Sequence, residues 1–240
     1  MYRRLNETLL LRTLEVLVRR IEERFPGSGL GKVGLELQSL GNDAVVNTAW
    51  LRRPIWPLRV ATYASLVVGA VVLGMTVAFL PEFRMEGWSE FFQGTEALVQ
   101  DVVFIGVAAY FVMTLESRLK RRRALAAIHS LRSLAHIVDA HQLTKDPERL
   151  LTSRPDTASS PARDMTTAQL GRYLDYCSEL LSLTSKLAAL YVQDFNDPVV
   201  LSAVSEVETL CGGLAGKIWQ KITMLEPGRL PGTDGSDGSR

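Results

Sequence analysis

The residues with chemistry to offer are few and unevenly placed. All three histidines, His129, His136 and His141, fall in one short stretch that also holds Asp139. On a helix, His136 and Asp139 are i,i+3 neighbours and His129 lies about two turns earlier on a similar azimuth. His141 points about 140° away from His136. One helix therefore cannot converge three imidazoles on a metal, and an ion- or pH-responsive site at His129 and His136 would need groups from another helix or subunit. A polar seam or solvated face is the plainer use of the same residues.

Gly29-Leu30-Gly31-Lys32-Val33-Gly34 matches Gly-x-Gly-x-x-Gly. A dinucleotide site needs a strand before that motif, so that a tight turn delivers pyrophosphate to a helix N-terminus. An amphipathic helical pattern precedes it here, and Val33 stands where a phosphate-binding loop needs Ser or Thr. A loop between helices is expected instead. Cys177 and Cys211 occupy seam positions of helical patterns, where a free cysteine acts as a small hydrophobe rather than an activated thiolate. Two cysteines in 240 residues exclude a disulfide framework and a Cys-rich zinc module. No serine nucleophile, metalloprotease helix or carboxylate pair emerges. No catalytic residue, metal, cofactor or small-molecule substrate is assigned, and the chain is not expected to be an enzyme.

The strongest signals concern a bilayer. Val60 to Leu80 contains no charged residue, and at about 1.5 Å per residue it spans a hydrocarbon core. Ala97 to Leu115 is a second apolar stretch, interrupted by Asp101 about one turn inside its start. At that depth a carboxylate reaches the headgroups, although an ion or proton path is the alternative use of an intramembrane acid. Arg52, Arg53 and Arg59 precede the first stretch, and Arg118, Lys120, Arg121, Arg122 and Arg123 follow the second. The connection carries Arg84 against Glu82, Glu86, Glu90 and Glu96. The positive-inside rule then puts both termini in the cytoplasm. The first 57 residues show no signal-peptide pattern, so the first span is expected to be an uncleaved anchor. The basic run would also hold anionic headgroups, at about 1 kcal/mol per residue near the surface. Trp88, with Phe91 and Phe92, reads as an interfacial anchor. Small-residue rows Ala61/Ser65/Gly69 and Ala70/Gly74/Ala78 would let another helix approach closely.

The remaining chain reads as helical. Leu10, Leu14, Leu17, Val18 and Ile21 share a face within Tyr2 to Phe25. Pro26 to Gly29 breaks that helix, and a shorter one follows from about Leu30 to Leu40. The second span should continue to about Leu143. Leu170, Leu174, Cys177, Leu181, Thr184, Ala188, Tyr191 and Phe195 alternate four- and three-residue steps. Val200, Val204, Val207, Cys211, Leu214 and Ile218 repeat them after Asn196-Asp197-Pro198, which describes an antiparallel hairpin with a coiled-coil-like seam. The helix after the second span could join it as a third bundle member. Gly212, Gly213 and Gly216 cost about 1 kcal/mol each in a helix interior, which suggests close approach by another helix.

The expected fold is an all-α membrane protein, a two-span transmembrane hairpin with cytoplasmic helices on both sides. Its parts are an N-terminal helical region (1–57), the first span (58–81), an acidic outer loop (82–96) and the second span (97–116). A cytoplasmic extension (117–152), a flexible linker (153–165), the helical hairpin (166–226) and a disordered tail (227–240) follow. A net charge of +1, without a wider basic excess, excludes a general nucleic-acid binder. The Ala-, Leu- and Arg-rich composition suits a bacterial inner membrane. The expected role is a membrane interaction or scaffold protein, with the bilayer and a second copy or helical protein as partners. The order of N-terminal helix, two spans and cytoplasmic helix over residues 40–145 is similar to the SLATT-type two-span effector domains of bacterial conflict systems. That resemblance transfers no functional residue, and it implies an oligomeric channel or membrane-perturbing effector as the alternative.

Overall fold

The computed structural model describes residues 4–79, 88–145, 147 and 165–225, and every regular element among them is a helix. The side chain of Asn6 accepts a hydrogen bond from the Leu9 amide at 3.0 Å, capping α1, Glu7–Arg24. Leu10, Leu14, Leu17, Val18 and Ile21 are buried, as their shared face requires. Gly27 then turns the chain with φ 66°, a left-handed conformation that glycine adopts without a Cβ penalty.

The second helix, α2, spans Gly29–Arg52, and this corrects two expectations. The Gly-x-Gly-x-x-Gly segment is not a loop but the first turns of this helix, with the Ser28 hydroxyl accepting from the Gly31 amide at 3.1 Å. Its glycines bring helices together: a Cβ on Gly31 would lie 2.6 Å from a Glu22 carboxylate oxygen, and one on Gly34 would lie 3.2 Å from Val18. Nor does the helix stop near Leu40. Gly41 is packed so closely that a Cβ would lie 2.9 Å from Leu11, 3.4 Å from Leu14 and 3.6 Å from Leu187. Burial against those leucines overrides the low helix propensity of Gly41-Asn42-Asp43.

Two long apolar helices follow, α3 over Trp56–Phe79 and α4 over Trp88–Leu143. The latter is unbroken, as the absence of Gly and Pro between the second apolar stretch and Leu143 suggested. It also starts earlier than expected: residues 88–96, assigned to the outer loop, are helical. The rest of that loop lies outside the described residues, as do the tail at 227–240 and, apart from Met165, the linker at 153–165.

A capping box starts α5, Thr167–Leu190: Thr166 Oγ1 accepts from the Gln169 amide at 3.2 Å and Gln169 Oε1 from the Thr166 amide at 2.8 Å. The helix ends before Phe195, which is half-buried in the connection and does not continue the seam. Asp197 then caps α6, Pro198–Leu225, by accepting from the amides of Val199 (3.0 Å) and Val200 (3.2 Å). Pro198 holds the first helical position, where its missing N–H costs nothing.

The chain divides into two compact units. One comprises α1, α2 through Trp50, α4 from Ala124, α5 and α6. Its core is built from the expected seams, Leu170, Leu174, Cys177, Leu181, Thr184, Ala188 and Tyr191 on one side, Val200, Val204, Val207, Cys211, Leu214 and Ile218 on the other, all buried. Ala124, Ile128, Leu131, Leu134, Ala135 and Val138 of α4 add a further strip. Arg4 pairs with Asp194, and Leu5 donates to Gln193 Oε1 at 2.8 Å, tying the start of the chain to the α5–α6 connection. The other unit, Leu51–Arg123, contains α3 and the first part of α4. Three helical stretches are long and apolar enough to cross a membrane, one each within Gly29–Met75, Val102–Leu143 and Pro198–Leu225.

Candidate functional site

The unit of α3 and α4 holds most of the residues that the sequence singles out. Its best-built feature centres on Glu116. One carboxylate oxygen accepts from the Ile55 amide at 3.3 Å and from Lys120 Nζ at 2.8 Å, and the other from Arg59 Nε at 3.2 Å. The Ile55 amide lies just ahead of α3, where helix N–H groups lack internal partners, so a carboxylate is favoured there. Arg59 and Glu116 bracket the two apolar stretches in sequence. Sequence reasoning used Arg59 for orientation and passed over Glu116, although flanking residues of opposite charge were the signal for this contact.

That contact divides the basic run. Lys120 is 8 % exposed and engaged with Glu116, whereas Arg118, Arg122 and Arg123 are exposed and Arg121 is half-exposed. The Arg118 guanidinium lies 5.6 Å from the Phe111 ring centroid, within cation–π range. Of the helix-packing glycines, Gly69 is buried, and a Cβ there would lie 2.6 Å from Ile105 Cγ2 of α4. At Gly74, nothing among the described residues lies within 4 Å of an added Cβ. Gly212, Gly213 and Gly216 are alike in this, all exposed on α6 with nothing within 4 Å. Among the described residues, no other helix approaches them.

Trp88 and Asp101 lie in α4, and their side chains are outside the described residues. His129 and His136 are exposed on α4, while His141 packs against the start of α2, its ring filling the space a Cβ of Gly29 would take. No group of three or more His, Cys, Asp or Glu that could hold a metal occurs among the described residues.

The two thiols are buried and free. Burial pushes Cys177 up to about 12, against a weaker downward pull from the Lys221 ammonium. It pushes Cys211 up to about 11, with Glu208 adding to the rise. Neither is poised as a nucleophile at neutral pH. Lys221 instead donates to two carbonyls at the end of α4, Gln142 O at 2.9 Å and Lys145 O at 3.3 Å, satisfying acceptors that a helix terminus leaves open. Comparison of the chain with family models, with curated proteins and with solved structures finds no match in any of the three.

Proposed function

We propose that this chain is an integral membrane interaction protein whose α3–α4 pair crosses a bacterial inner membrane twice, leaving both termini in the cytoplasm. The observation that carries this reading is the broad apolar exposure of α3 and of the first half of α4 away from the Gly69–Ile105 contact. Val60, Val67 and Val68 on one and Phe104, Val107 and Tyr110 on the other are all more than 60 % exposed. Apolar surface of that extent needs a nonaqueous surround, and lipid supplies it. The contacts Arg59–Glu116 and Gly69–Ile105 follow one antiparallel register, as two spans joined by a short connection require. Trp56, Tyr63 and Tyr110 are exposed near the Arg59–Glu116 end, where amphipathic rings sit at a headgroup boundary. Arg118, Arg121, Arg122 and Arg123 then meet anionic headgroups, and Lys120 completes the Glu116 cluster.

The third apolar stretch, α6, belongs to the helical bundle in this reading. It buries Val200, Val204, Val207, Cys211, Leu214 and Ile218 and carries Glu206, Glu208, Lys217 and Gln220 elsewhere. The cytoplasmic helices form a seam-packed antiparallel hairpin on which a second copy or a helical partner docks, and no reaction is assigned. An oligomeric channel or membrane-perturbing effector is the second reading. It is favoured by the Ala70/Gly74/Ala78 row, which is left open on α3 while Gly69 is filled by Ile105.

Single cysteines placed at position 86 and at the exposed positions 9 and 219, in a chain whose own two are alanine, test the topology. Positions 9 and 219 should react with an impermeant maleimide only after the cells are opened, and position 86 in intact cells. Labelling of position 219 in intact cells would overturn the two-span reading. Native mass measurement after gentle detergent extraction separates the scaffold from the channel: a fixed heteromeric partner favours the first, a closed homo-oligomer with ion leak in vesicles the second.

A further inference from the structure

The last turns of α1 and the first turns of α5 border a cleft lined by Arg20, Glu23, Arg24, Arg172 and Tyr176, with a volume of roughly 400 Å³. Three guanidiniums and the Glu23 carboxylate line it, and the carboxylates of Glu179 and Asp175 stand beside two of the guanidiniums. Arg20 is 3.5 Å from Glu179 and Arg172 is 3.5 Å from Asp175, both long contacts between half-exposed side chains. Such pairs are weak and exchange readily for a better anion. Arg24 has no ion-pair or hydrogen-bond partner among the described residues.

The wall of the cleft is more specific than a basic surface. Tyr176 is 2 % exposed, and its ring is held edge-on by Phe25 at 6.3 Å and covered by the Arg20 guanidinium at 5.4 Å. Its hydroxyl has no hydrogen-bond partner among the described residues, and the residue lines the cleft. The hydroxyl is not among the fully buried polar atoms left without a partner, so it is open to the cleft, where it can donate to a bound acceptor. We propose that this cleft binds a phosphate monoester, gripped by Arg20, Arg24 and Arg172 with the Tyr176 hydroxyl donating to a phosphate oxygen. Guanidiniums match phosphate oxygens in fork geometry, and a doubly charged group overcomes the repulsion of Glu23 where a singly charged one gains less. The monoester belongs either to a soluble metabolite-sized molecule or to the headgroup of phosphatidic acid. The soluble case stands whether or not the membrane reading holds.

Calorimetric titration of the full chain in phosphatidylcholine nanodiscs with glycerol 3-phosphate is the test. One saturable site is expected, weakened about tenfold by Arg24→Gln and by Tyr176→Phe, each of which removes charge-assisted hydrogen bonding. Arg24 is exposed, and phenylalanine preserves the ring that Phe25 packs against, so both variants should fold. Discs doped with phosphatidic acid identify the source. Loss of glycerol 3-phosphate binding there makes the lipid headgroup the occupant, and unchanged binding makes it the soluble ester. No saturable binding in undoped discs, or undiminished binding by either variant, overturns the proposal.

Discussion

At the scale of single residues, the glycines show how one residue type serves opposite ends. Gly41 sits where a Cβ would lie 2.9 Å from Leu11, so Gly41→Leu should destabilise the bundle by about 1–3 kcal/mol, the usual cost of overpacking. Gly212 has nothing within 4 Å, so Gly212→Ala should raise stability by up to about 1 kcal/mol through helix propensity. Thermal unfolding of the two variants checks the pair. If another copy packs at Gly212 and Gly216, replacing both with leucine should instead abolish cross-linked dimers without lowering the unfolding temperature of the isolated chain. The thiols give a pH dependence with a definite sign. Burial lifts Cys177 to about 12 and Cys211 to about 11 from an ordinary value of 9.0. The folded state therefore keeps protons that the unfolded chain releases. Stability is full below pH 9 and falls as pH rises toward 11 and 12. Replacing both cysteines with alanine should flatten that alkaline slope in unfolding curves, and an unchanged slope would assign it to other groups.

At the scale of elements, local signals marked starts better than stops. Asp197-Pro198 reads as a helix start in sequence, and the Asp197 carboxylate does accept from two amides of the first turn. Asp197→Ala should cost about 1 kcal/mol, measurable as a lowered denaturation midpoint with unchanged cooperativity. The seam residues of α1, α5 and α6 were legible because a 3.6-residue period records which face is buried. The extent of α2 was not, because Gly41 looks like a stop until Leu11, Leu14 and Leu187 are seen around it. Phe195 was misplaced for the converse reason: its spacing continued a pattern that the backbone had already left. Gly69 and Gly74 look interchangeable in sequence, yet Gly69 meets Ile105 and Gly74 meets nothing among the described residues. Gly69→Leu should therefore disturb the α3–α4 pair, read as lost cross-linking between cysteines placed at 62 and 112, while Gly74→Leu should leave it intact.

For the whole molecule, the near-neutral charge and moderate apolar content of a soluble domain average over two dissimilar units. One has a buried core and mixed-charge exterior, and the other exposes valine, phenylalanine and tyrosine over much of its surface. Sequence alone determined that the chain is helical, where its apolar stretches lie, and which faces of α1, α5 and α6 must be hidden, because these follow from local length and period. Tertiary structure alone decided that α1 and α2 join the bundle, that Glu116 gathers Ile55, Arg59 and Lys120, and that Arg20, Arg24 and Arg172 border one cleft with Tyr176. Those groupings join residues far apart in sequence, and no local periodicity records which helix faces meet across such distances.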